Sequence, residues 1–165
     1  MSLIPLMSRV AGVIGAVLLA LTGAMLTYEV IARYFFTRPT IWAAELSQLC
    51  LIWGCLLAMA WVLQMRHHIT VNAVTGLLPK GAQLACVGFA LVFVLVFSLI
   101  VTWWGWDIFH DSWVRGRTTG SILDLPAWVA ELSVPVGFAL LSLQSLVELA
   151  GLRSGTTITL GSSHE

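Results

Sequence analysis

Charge is scarce in this sequence, and the scarcity is uneven. Asp, Glu, Lys and Arg together make up 10% of 165 residues, against roughly 25% in an ordinary soluble domain. The chain has no net charge and no basic run, which argues against a nucleic-acid partner. It has no CxxC pair, no Cys/His cluster with metal-ligand spacing, no Gly-rich phosphate loop and no nucleophile–His–acid set. Those absences count against zinc, iron–sulfur and hydrolytic chemistry. Cys50, Cys55 and Cys86 all fall in apolar runs and are read as small packing residues. No catalytic residue, metal ligand or cofactor site is expected, so the chain is not read as an enzyme.

What the chain has in quantity is apolar length. It is 59% hydrophobic, with a mean hydropathy of +0.94. Uncharged runs extend from 10 to 28, from 46 to 65 and from 81 to 106, and a fourth, 125–147, is broken only by Glu131. Runs of about 18 or more apolar residues are transmembrane candidates. The first is longer than a secretory signal core of roughly 7 to 15 residues, so it reads as a retained helix. The fold expected is therefore an all-α integral membrane bundle of four helices, at about 10–33, 41–66, 81–109 and 126–150. Together they form one domain, 1–150, leaving a Gly/Ser/Thr-rich flexible tail, 151–165. Between the second and third helices, Val71, Val74, Leu77 and Leu78 share a stripe; a short amphipathic interfacial helix and a plain turn both fit.

Four spans put both termini on one side. Arg9, Arg66, Lys80 and Arg153 lie on that side, and Arg33, Arg38, Arg115 and Arg117 on the other. Equal counts leave the positive-inside rule undecided. The free amine and His67–His68 tilt the balance towards both ends inside.

One short stretch occurs twice: IWAAELS (41–47) and AWVAELS (127–133). Each opens an apolar run, and the topology brings both to the same membrane surface. Trp42 and Trp128 suit that depth because an indole is apolar with one N–H that wants a wet partner. Glu45 and Glu131, three residues on, share the tryptophan's helix face. The repeat is either a duplicated hairpin or a coincidence of common residues. Trp103, Trp104, Trp106 and Trp113 extend the aromatic belt and are read as interface anchors. Gly12, Gly15, Ala16, Gly54 and Ala58 provide small surfaces for helix contact.

Ionisable groups in the membrane core mark transport sites, and here they cluster at span ends. Glu29 is the deepest, with Arg33 four residues on to pair with it. A self-sufficient exporter built around Glu29 is thus one alternative. A haem subunit is another, disfavoured because His67 and His68 stand about 30 Å of bilayer away from His110.

Several features occur in a recognisable order. EVIARYFF ends helix one, RPTIWAAEL opens helix two, RHHITVNAVTGLLP follows helix two, and LPAWVAELSVPVGFALLSLQ forms helix four. Over about residues 10–150 the chain resembles the small membrane subunit (DctQ type) of tripartite ATP-independent periplasmic (TRAP) transporters. It departs from that pattern at Asn72, where the family often has aspartate. The resemblance implies a bacterial or archaeal inner-membrane protein with cytoplasmic termini. It implies two protein partners besides lipid: a large multi-span subunit that carries the substrate and sodium sites, and a periplasmic binding protein that delivers an organic acid. On that basis Arg33, Arg38, Trp42, Glu45, Arg115, Arg117, Trp128 and Glu131 are expected on the periplasmic side as partner-binding residues.

Overall fold

In hydrocarbon no water satisfies the backbone, so each apolar run must close its hydrogen bonds within itself. The computed structural model, which describes residues 3–37, 40–66, 80–121 and 123–153, has four long helices in chain order. These are α1 (Leu3–Phe35), α2 (Ile41–Arg66), α3 (Lys80–Arg115) and α4 (Ala127–Arg153). All four are long and apolar enough to cross a membrane. The connector stripe at Val71–Leu78, His67, His68, Asn72, Arg38 and nearly all of the tail lie outside the described residues.

Two helices run further than the apolar pattern alone suggests. α1 starts at Leu3 rather than near residue 10, carrying Arg9 inside it. α3 continues past 109 to Arg115. Its 36 residues amount to about 54 Å, well over a hydrocarbon core of about 30 Å. The extension is held by contacts one turn apart: Phe109 packs on Trp106 and Trp113, and Asp111 pairs with Arg115 at 2.6 Å. Gly116, at φ +61°, then stops the helix. The Arg117 N–H returns to the Ser112 carbonyl at 3.1 Å, the usual way a left-handed residue closes a helix end.

The helices pack as an open array. α1 lies on α2, α2 on α4 and α4 on α3, with a small α1–α4 contact. α4 is the most enclosed span and α3 the most open. Small residues set the spacing. Gly12 lies under the Trp61 ring, and a Cβ there would come within 2.6 Å of it. At Gly15 a Cβ would meet the Gly54 carbonyl at 2.7 Å and Ala58 at 3.2 Å. The expected small face is thus present, except that Ala16 points outward and Ala11 takes its place. On α3 the buried positions facing α4 recur every seven residues, at Leu91, Ser98, Gly105 and Ser112. That interval matches the 3.5-residue period of left-handed helix pairs. Gly105 receives Val134 and Pro135 of α4.

Candidate partner-facing surface

Both loops at one end of the array are tied down by a glutamate. At the α1–α2 turn, Glu29 is buried and accepts from Arg33 Nη2 at 2.7 Å. Its other oxygen takes the Thr40 N–H at 3.2 Å and the Thr40 hydroxyl. Thr40 stands immediately before α2, so Glu29 fixes the entry of that helix. The expected Glu29–Arg33 pair is therefore present, and its carboxylate is committed to the turn.

The α3–α4 loop closes on itself through the Thr118–Pro126 bridge, Thr119 N–H to Leu125 O at 2.9 Å and Ala127 N–H to Arg117 O at 3.0 Å. Its tip reaches α2: the Ser121 hydroxyl donates to Glu45 Oε2 at 2.7 Å, with a long contact from the Leu123 N–H at 3.4 Å. Glu45 and Ser121 are 76 positions apart. The sequence pattern named Glu45 without indicating this partner.

The two copies of the repeated motif do not lie level. α2 and α4 run the same way, and Gly137 sits against Leu56, 81 positions earlier. Glu45 and Glu131 are 86 positions apart. Glu131 therefore lies five residues, about 7.5 Å, deeper than Glu45. Their surroundings differ accordingly. Glu131 Oε2 is buried and has no hydrogen-bond partner among the described residues. Pro135, four residues on, offers no N–H to the Glu131 carbonyl. Trp42 is exposed and stacks loosely on Tyr28, with ring centroids 6.2 Å apart. Trp128 instead packs edge-on to Trp113 at 4.7 Å and meets Phe109 at 6.5 Å, joining α4 to the α3 extension.

Trp103, Trp104, Trp106 and Trp113 are 54–74% exposed. The arginines are exposed but engaged. Arg33 holds Glu29, while Arg115 Nε and Arg117 Nη2 reach the two oxygens of Asp111 at 2.6 and 2.9 Å. Asp111 organises the pair, a role that residue type and spacing alone did not single out.

Two further polar links escaped the sequence reading. The Trp53 indole donates to the Val129 carbonyl at 3.0 Å, crossing from α2 to α4. At the far end, Ser8 Oγ donates to Gln144 Oε1, and Gln144 Nε2 to Glu148 Oε1, both at 2.8 Å and buried. The Ser8–Gln144 bond joins α1 to α4.

A family model described as tripartite ATP-independent periplasmic transporters, DctQ component, matches residues 22–155. The chain belongs to this family. Two relatives are similar to it. One is the sialic acid TRAP transporter small permease protein SiaQ of Vibrio cholerae, 26% identical over 91 residues, which cover 55% of this chain and 53% of the relative. The other is the isethionate TRAP transporter permease protein DctMQ of Oleidesulfovibrio alaskensis, 25% identical over 133 residues, 77% of this chain and 21% of the relative. The chain thus spans about half the length of the first and a fifth of the second. As a DctQ-family member with four spanning helices, it is a multi-pass inner-membrane protein and a small permease component of a TRAP transporter. Neither the Glu29 exporter nor the haem subunit is favoured by that membership.

Proposed function

We propose that this DctQ-type chain transports nothing itself and instead braces the large transport subunit of a TRAP system, while offering a seat to the substrate-binding protein. The observation that carries the reading is the open array. α3 packs on α4 and leaves Phe89, Phe93, Phe97 and Ile100 facing outward, giving a broad apolar side to lipid and to a large multi-span partner. The ionisable groups cluster at the ends of the spans, and Glu29 is spent on the α1–α2 turn. In this reading both termini lie in the cytoplasm, so the two tied loops face the periplasm.

On that side Arg33, Arg38, Arg115 and Arg117 are proposed to steer and seat the binding protein. Exposed ion pairs hold by only about 0–1 kcal/mol, so Arg115 and Arg117 can exchange Asp111 for a partner carboxylate at little cost. Trp42, Glu45, Trp128 and Glu131 serve the same surface by fixing its loops and depth. The cargo is an organic acid, carried with sodium by the large subunit. The reading rests on family membership, on relatives described as permease proteins of TRAP transporters and on the packing above. Reconstitution tests it. Liposomes holding this chain alone should accumulate no organic acid under a sodium gradient. Adding the large subunit and binding protein should give uptake that falls when this chain is omitted. Accumulation by the chain alone, or uptake indifferent to it, overturns the proposal.

A further inference from the structure

Where α2 and α4 begin, the α3–α4 loop overhangs the groove between them and leaves a cleft of about 320 Å³, at the small end of ligand-site sizes. Its lining is graded by depth. Glu45, Leu125 and Pro126 stand at the top with the loop hydroxyls, Gln48, Leu49, Val129 and Ala130 lie about a turn below, and Ile52 is the deepest. From Glu45 to Ile52 is seven residues, about 10 Å along α2, which runs from headgroup level into the start of the hydrocarbon. Glu45 is the one titratable group among the described residues of the lining. It accepts a short bond from Ser121 and a long one from Leu123, leaving acceptor capacity on both oxygens. Gln48 is exposed one turn below, at a depth where an amide is costly unless something bonds it.

We propose that this cleft holds one aminophospholipid, with its ammonium on Glu45, its glycerol and ester region beside Gln48, and the first carbons of a chain on the Ile52–Val129–Ala130 floor. Charge selects the headgroup. A carboxylate with no cation among the described lining residues favours a zwitterionic ethanolamine lipid and disfavours an anionic glycerol one. The one carboxylate and the loop hydroxyls lie at the top of the cleft and only apolar side chains lie below Gln48, which matches the order of groups in a lipid. A bound lipid here would wedge the loop against α2 and α4 and stiffen the surface that carries Arg115 and Arg117.

The full chain, purified in mild detergent, is incubated with equal amounts of phosphatidylethanolamine and phosphatidylglycerol and examined by native mass spectrometry. One ethanolamine lipid should be retained, with about tenfold preference, the factor expected of one charge-assisted hydrogen bond. Ala130→Phe, which fills the floor, should abolish retention, and Gln48→Leu should weaken it severalfold while the helical circular dichroism stays unchanged. If Ala130→Phe does not fold, Gln48→Leu and the headgroup preference still decide. No retained lipid, equal retention of the two lipids, or retention that survives both substitutions overturns the proposal. So does loss of the lipid when the large subunit is co-purified, which would give the cleft to a protein partner.

Discussion

The indole N–H of Trp53 donates to the carbonyl of Val129 at 3.0 Å, joining the middle of α2 to the first turn of α4. The bond links the two helices directly through a side chain. Interhelical bonds in membranes average about 0.6 kcal/mol. Trp53→Phe, which keeps a ring and loses the donor, should therefore lower the melting temperature in detergent by about 2 °C. Trp53→Ala also removes most of the packing and should cost severalfold more. Equal melting temperatures for wild type and both variants would show that the link carries no stability.

Gly15 and Gly23 form a matched pair for testing the α1–α2 contact. A side chain at Gly15 meets the Gly54 carbonyl at 2.7 Å, whereas nothing lies within 4 Å of the Cβ position at Gly23. Gly15→Leu should destabilise by about 1–3 kcal/mol through forced separation of the helices. Gly23→Leu should stay within about 0.5 kcal/mol. Thermal unfolding of the two purified variants in one detergent checks the difference; equal losses would sink the packing assignment.

Glu45 holds a loop that belongs to two other helices. Glu45→Ala should release the tip at Ser121 and Leu123, costing about 0.5–1.5 kcal/mol locally, since water can replace the lost acceptor at this exposed loop. Hydrogen exchange of residues 117–125 should then quicken, while the cores of α1 and α3 keep their protection. Uniform quickening along the whole chain would mean that Glu45 acts on global stability instead.

Ser8, Gln144 and Glu148 make a buried relay between α1 and α4. Gln144→Leu leaves the buried Ser8 hydroxyl without its acceptor and should cost about 1–3 kcal/mol. Ser8→Ala should cost less. Added to Gln144→Leu it should cost nearly nothing, since the bond is already gone. Strict additivity in that double-mutant cycle would show the Ser8–Gln144 bond to be energetically idle.

How much of this was legible in the sequence follows from what each feature depends on. The four spans are local: an uncharged run of sufficient length has little choice but to be a helix, and the glycines of α1 and α2 advertise close contact by size alone. Features that need a distant partner were not legible. Gln144 is only one more polar group within an apolar run until Ser8 is placed against it. Ser98, Gly105 and Ser112 gain meaning only once α4 is known to cover them. The repeated motif shows the limit most directly. Equal internal spacing fixes Trp and Glu on one helix face but says nothing of relative depth. Because α4 sits about 7.5 Å further down than the motif alignment implies, Glu45 meets a loop while Glu131 is buried. The extension of α3 to Arg115 was missed for a related reason: hydropathy falls after 109, but aromatic contacts and the Asp111 pairings sustain the helix beyond it.

Those pairings make the docking role of Arg115 and Arg117 testable in a way that separates charge from structure. Reversing both to Glu places three carboxylates where one stood, so some loss could come from fraying of the α3 end. Asp111→Asn supplies the control: it removes the same ion pairs but leaves both arginines free. If the arginines steer the binding protein, uptake in the reconstituted three-component system should fall about tenfold for the double reversal, through a higher half-saturating binding-protein concentration at unchanged maximal rate. The loss should shrink at high salt, where exposed charges are screened. Asp111→Asn should leave uptake at or above the wild-type level. Equal losses in the reversal and in Asp111→Asn, or a loss insensitive to salt, would assign these residues to the architecture of α3 alone.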